Sequence, residues 1–213
     1  MGCAGALPAL QRGFDYVKGD CEKTALVVTV EVCSACCYID DKLETVVGNA
    51  ICGDGAASVV LRGAPSRNHG PSILGFQVFI DTDFMDAVGL ENVDGRHRIV
   101  LSKEIRKAAG PAVAKVVDRL LARFGIDRKC VSHWIFHAGG AAVITNIEQA
   151  MGFSDRELRW SRSVFRQHGN MSSPTALFVL NEFQRHERPQ SGDLGVVLAL
   201  GPGLATEAAL LQW

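Results

Sequence analysis

The sequence predicts an α/β layered fold. Three observations carry that expectation. Apolar runs rich in β-branched residues, such as residues 24–32 (TALVVTVEV) and 195–200 (GVVLAL), recur along the chain. Segments with apolar residues at helical spacing lie between them, and Gly, Pro, Asn and Ser gather at the boundaries. Strands that alternate with helices build a sheet covered on both faces.

Leu7, Leu10, Phe14 and Val17 recur at helical spacing, so residues 4–18 read as a helix that opens just after Cys3. Residues 24–32, continuous in apolarity, read as a strand buried on both faces, and a second strand is expected at 56–61. The stretch 62–72 (RGAPSRNHGPS) concentrates turn formers and is the candidate crossover between structural halves. On that basis residues 1–62 form one part and 73–213 the other, with 63–72 connecting them.

Beyond the connection, 73–81 (ILGFQVFID) reads as a strand and 102–124 as a long helix, which Pro111 should kink or divide. Residues 132–136 read as a buried strand, followed by a helix over about 140–151 with Val143, Ile144 and Ile147 on one side. Ser154 and Glu157 have capping-box spacing and start a helix that His168-Gly169 stops. Ser173-Pro174 opens another helix, ending near Arg185, and two strands close the chain on either side of Gly201-Pro202-Gly203.

Length and composition narrow the classes. A chain of 213 residues can bury roughly 70% of its surface. With 47% hydrophobic and 21% charged residues it has ordinary globular proportions. The formal charge of −1, without a basic cluster, argues against nucleic acid as a partner. Seven cysteines, an odd number without a signal-like N-terminus, fit reduced thiols in a cytoplasm. The apolar runs are too short to span a bilayer, so no membrane partner is expected.

Three residues could carry chemistry. Cys3 opens a helix, where the positive end of the dipole and nearby backbone N–H groups favour thiolate over thiol. Taken alone, a small cysteine there is more often an inert packing residue. His137 follows an apolar strand and precedes Ala138-Gly139-Gly140, glycines that let substrate approach closely, although a lone histidine at such a point is more often structural. Asn170 lies in a turn between two helices; its amide can donate to an oxyanion, or it can simply cap a helix. Cys33, Cys36 and Cys37 (CSACC) have superficial metal spacing, but no second Cys/His pair is suitably placed and no metal site is expected.

The combination is more specific than its parts. MGCAGALPAL, ICGDGAASVVL, IFHAGGAAVI, GNMSSPTALF and LALGPGLATEAALL occur in that order. In this the chain resembles the chalcone synthase-like type III polyketide synthases, whose reaction is decarboxylative condensation of malonyl-CoA onto an acyl group carried by cysteine. The resemblance implies a thiolase-like αβαβα fold, incomplete at the N-terminus, with Cys3, His137 and Asn170 as the catalytic triad. It also implies a pocket that includes Cys52, Ile99, Gly139, Gly140, Ser172, Gly201, Pro202 and Gly203. Malonyl-CoA and an acyl-CoA starter would be the substrates, a homodimer the assembly, and no cofactor would be needed.

Three positions depart from plant chalcone synthases: Cys52 and Ile99 stand where phenylalanines are usual, and Ala138 where a proline is. Smaller groups around the cavity make a flavonoid product doubtful. The segments CSACCYIDDKLETVVGNAICGDG and VDGRHRIVLSKEIR are closer to the bacterial dihydroxyphenylacetyl-CoA synthases, which use malonyl-CoA as starter and extender. The alternatives are a ketoacyl-ACP synthase III-like condensing enzyme, or a truncated partner subunit without catalysis; the chain alone is expected to show little condensation activity.

Overall fold

The computed structural model describes residues 2–36, 38–63, 70–137 and 139–213. Its elements, in order, are α1 (Ala6–Lys18), β1 (Thr24–Glu31), α2 (Leu43–Ile51), β2 (Gly55–Arg62), β3 (Ser72–Ile80), β4 (Val88–Val93), β5 (Arg96–Leu101), α3 (Ile105–Phe124), β6 (Val131–Phe136), α4 (Ala141–Met151), α5 (Asp155–His168), α6 (Pro174–His186), β7 (Leu194–Gly201) and β8 (Ala205–Gln212). Most of the connection expected at 63–72, residues 64–69, lies outside the described residues, as do Cys37 and Ala138.

The main sheet has the order β3-β8-β7-β6, with β6 and β7 parallel and the other pairs antiparallel. Period-2 alternation splits its side chains into two cores. Trp134, Phe136, Val196, Leu198 and Leu210 pack on one face with Val113 and Val116 of α3 and Ile144 of α4. Ile135, Val197, Ala209 and Leu211 pack on the other with Leu7 and Leu10 of α1 and Leu177 and Val179 of α6.

Beyond α1 and α6 lies a second sheet, the antiparallel pair β1–β2, whose Val27, Val59 and Leu61 close the second core. The succession helix, sheet, helix, sheet is that of the thiolase-like αβαβα architecture. The strand expected to be buried on both faces is not. Leu26, Val28 and Val30 of β1 are exposed, with Val60 of β2 opposite Leu26, because no described helix covers that side. Unbroken apolarity therefore marked a surface left uncovered by the described residues rather than a two-sided core.

Most expected elements are present. The capping box is complete: the Ser154 N–H donates to Glu157 Oε2 at 2.7 Å, and the Ser154 side chain accepts from the backbone three residues on. Helix α3 runs unbroken past Pro111, so the proline does not divide it. Two features were missed. One is α2, and the other is the β4–β5 hairpin, whose turn residues Asp94 and Gly95 both have positive φ. That geometry is the usual reason for an Asp-Gly hairpin turn.

Candidate active site

The Cys3 sulfur lies at the start of the chain's first helical turn, a short 3-10 segment, Gly2–Ala4, that leads into α1. Gly2 has φ +47°, and a side chain on it would lie 2.9 Å from the Pro202 ring. The Gly201-Pro202-Gly203 segment thus backs the turn that carries Cys3, in a 3-10 turn of its own rather than a plain strand-to-strand reversal.

Asn170 is held by the segment before β2. Its N–H donates to the Ile51 carbonyl at 2.7 Å, and its own carbonyl accepts from Gly53 N–H at 2.9 Å. Cys52 is its bridge partner. The side chain is oriented as firmly as the backbone. Ser172, at φ +59°, donates its N–H to Asn170 Oδ1 at 2.9 Å. With the oxygen occupied, Nδ2 is the end available for donation; it lies 3.7 Å from Cys3 Sγ and 3.4 Å from the Gly139 carbonyl oxygen.

His137 follows the last residue of β6, where its N–H donates to the Leu198 carbonyl at 2.8 Å. Ser161 of α5 fixes the preceding residue by donating to the Phe136 carbonyl at 2.7 Å. The imidazole is buried, and neither ring nitrogen has a hydrogen-bond partner among the described residues. Its Nε2 lies 3.4 Å from the position a Gly139 side chain would occupy. Gly139 therefore touches both partners: its carbonyl meets the Asn170 amide, and its bare Cα faces the imidazole.

Burial dominates the electrostatics. It pushes the Cys3 thiol above its ordinary value; hydrogen bonds from Ser172 and Asn170 pull the other way, and the Glu31 carboxylate adds to the rise. Burial also pulls His137 down from 6.5 to about 4. Burial favours the uncharged form of both groups and opposes the pull of a helix end on the thiolate.

The expected pocket residues divide. Gly139 and Gly140 border a cavity of about 280 Å³, walled by Leu43 and Val47 of α2, Leu101 of β5 and Phe165 of α5. Ile99 is not among its described lining; it packs on Gly48 and lines a neighbouring cleft with Thr45 and Lys103. Ser172 sits beside Cys3 and Asn170. A larger cleft of about 960 Å³ lies between β2 and α6, and none of the three candidate catalytic residues is among its described lining. Among the described residues, no group of three or more His, Cys, Asp or Glu could hold a metal ion.

Sequence reasoning missed Glu31, which ends β1 and accepts from Ser173 Oγ at 2.5 Å. A carboxylate closing an otherwise apolar run was its only signal.

Residues 87–213 match the C-terminal domain of chalcone and stilbene synthases, and residues 1–82 match 3-oxoacyl-[acyl-carrier-protein] synthase III. The chain belongs to the chalcone and stilbene synthase family. Among its relatives is the 3,5-dihydroxyphenylacetyl-CoA synthase of Amycolatopsis orientalis, 33% identical over the whole chain and 58% of the relative. The 1,3,6,8-tetrahydroxynaphthalene synthase of Streptomyces coelicolor A3(2) superposes with a TM-score of 0.93 at 25% identity, over 100% of this chain and 61% of that one. PKS-I of the brown alga Ectocarpus siliculosus gives a TM-score of 0.90 at 28% identity, over 100% and 58%. The chain therefore spans little more than half the length of the family members it matches.

Proposed function

We propose that Cys3, His137 and Asn170 are the centre of a decarboxylative Claisen condensation on CoA thioesters. The observation that carries the reading is the Asn170 amide, fixed by the Ser172 N–H so that its donor end lies 3.7 Å from the Cys3 sulfur. His137 accepts the Cys3 thiol proton, and the sulfur attacks the acyl-CoA carbonyl, expelling CoA as its thiol. Malonyl-CoA then loses CO₂, and the enolate oxygen takes hydrogen bonds from Asn170 Nδ2 and the imidazole N–H. The enolate carbon attacks acyl-Cys3, and the tetrahedral adduct collapses to release the Cys3 sulfur.

A neutral imidazole suits this role, since one of its nitrogens carries a hydrogen it can donate. In many such reactions, preorganised donors directed at a developing oxyanion supply more of the rate enhancement than any other single effect. The 3,5-dihydroxyphenylacetyl-CoA synthase relatives make dihydroxyphenylacetyl-CoA the product of choice. The proposal includes a homodimer in the cytoplasm and a division of the chain at 63–72. Among the described residues, no helix is long and apolar enough to cross a membrane. With the outward face of β1–β2 apolar and exposed, turnover by the chain alone is expected to be slow.

Acylation of Cys3 is the direct test because it needs no turnover. Incubation with acetyl-CoA or labelled malonyl-CoA should leave one acyl group on the Cys3 peptide by mass spectrometry and none in Cys3→Ala. A chain that stays unmodified at Cys3 overturns the reading. The match of residues 1–82 to 3-oxoacyl-[acyl-carrier-protein] synthase III supports one alternative, malonate delivered on a carrier protein. Preference for malonyl carrier protein over malonyl-CoA in the same assay would favour it.

A further inference from the structure

Neither ring nitrogen of His137 has a hydrogen-bond partner among the described residues, so no bond to the ring aims it. Its direction is left to packing and to the backbone that carries it. The Phe136–His137 peptide unit is planar, with its C=O and N–H on opposite sides. Both groups are engaged. The His137 N–H donates to the Leu198 carbonyl of β7 at 2.8 Å, and on the other side the Phe136 carbonyl accepts from Ser161 Oγ at 2.7 Å. Strand β6 ends the described order of the main sheet, so on that side a hydroxyl of α5 takes the place of a neighbouring strand's N–H. A peptide unit bonded at both ends cannot swing about the chain, and the Cα–Cβ bond of His137 points where that unit directs it.

Ser161 is buried, so water does not compete for its bond. Without the hydroxyl, the Phe136 carbonyl would lose its partner, and rotation of this same peptide plane toward another donor is the direct relief. The helix that carries Ser161 is itself held. Its next residue, Arg162, donates to Glu148 of α4 at 2.6 Å, which ties α5 to the helix on the far side of the 137–140 segment. At the other end of α5, Gly169 donates its N–H to the Phe165 carbonyl at 2.9 Å, and the chain passes directly into Asn170. One helix thereby spaces the two donors that the proposed reaction aims at a single oxygen.

Resting on the proposed function, we propose that Ser161 is a positioning residue for His137. Its hydroxyl locks the Phe136–His137 peptide plane and so holds the imidazole N–H toward the developing enolate oxygen, while the end of α5 brings the Asn170 amide to the same point. Ser161 is not among the described lining of the cavity beside Gly139 and Gly140, so it acts through His137 rather than on the substrate. Misdirecting a preorganised donor costs transition-state stabilisation and leaves ground-state binding nearly as it was.

The test uses the full chain, with CO₂ release from labelled malonyl-CoA and the imidazole nuclear magnetic resonance signals of histidine-labelled protein as two readouts. Ser161→Ala should lower kcat for decarboxylation by about 10–100-fold and leave KM for malonyl-CoA unchanged. The ring signals that disappear in His137→Ala belong to His137. They should shift or broaden in Ser161→Ala while those of the other histidines stay in place, a selectivity that a general loss of stability does not produce. An unchanged kcat, a raised KM in place of a lowered kcat, or an unmoved His137 ring overturns the inference. Circular dichroism identifies a variant that fails to fold, in which case Ser161→Cys, close in volume but a weaker donor, takes its place under the same criteria. If the unsubstituted chain releases no CO₂, or His137→Ala releases it as fast, the proposed function falls and takes this inference with it. If His137→Ala is slow and Ser161→Ala is not, only the inference falls.

Discussion

Gly53 donates its N–H to the carbonyl of Asn170 at 2.9 Å, so the segment that leads into β2 holds the turn that carries the candidate catalytic amide. Two parts of the chain more than a hundred residues apart meet there. A side chain on Gly53 would press directly on the His168 carbonyl oxygen. Gly53→Ala should therefore displace the 168–170 backbone and cost about 1–3 kcal/mol. Thermal unfolding should show the loss, and acylation of Cys3 should slow with it. An unchanged melting temperature with unchanged acylation would show that the clamp is dispensable.

Asn170→Asp separates the two ends of the amide. The carboxylate still accepts from Ser172 N–H but has no hydrogen to give the enolate oxygen. Loss of one such donor costs on the order of 10²–10³ in rate. Release of labelled CO₂ from malonyl-CoA should fall by that factor relative to the unsubstituted chain, and Asn170→Ala should be no worse. Retained decarboxylation in Asn170→Asp would remove the amide from the mechanism.

The burial of Cys3 and His137, which favours their uncharged forms, has a pH signature. Burial raises the thiol and lowers the imidazole to about 4, so neither is charged near neutrality. Alkylation of Cys3 by iodoacetamide should be slower at pH 7 than for an ordinary thiol, which titrates near ~8.5. Its rate should go on rising at pH values where an ordinary thiol has levelled off. A plateau below pH 7 would mean an activated thiolate and would restore the helix-dipole reading.

The order of the elements, the capping box at Ser154 and the three candidate catalytic residues were legible because each rests on a local pattern. Periodicity marks α1 and β7, and short motifs surround Cys3, His137 and Asn170. What escaped depends on contacts between distant segments. Nothing near Asn170 in sequence announces Ile51 and Gly53 as its backbone partners. At Cys3 the helix start is visible in sequence, and the burial that pushes its thiol up is not. The β4–β5 hairpin is different: Asp94-Gly95 was a usable turn signal that the family motifs around it obscured.

Glu207 ties stability to pH. It lies on β8 between Ala199 of β7 and Val78 of β3, is only 5% exposed, and makes no hydrogen bond or ion pair with a described residue. Burial without compensation pushes its carboxyl up from 4.5 to about 7. An acid raised in the folded state keeps its proton while the unfolded chain has already lost it. Stability from this group is therefore fully present below about 4.5 and falls as the pH rises toward about 7. The full shift amounts to up to about 3 kcal/mol. Glu207→Gln keeps the shape and removes the ionisation, so it should be more stable than the unsubstituted chain at pH 8 and nearly equal to it at pH 4.5. Urea unfolding at the two pH values measures the difference. If Glu207→Gln is destabilised at pH 8, the carboxylate is ionised and partnered in solution, and a neutral, uncompensated Glu207 is ruled out.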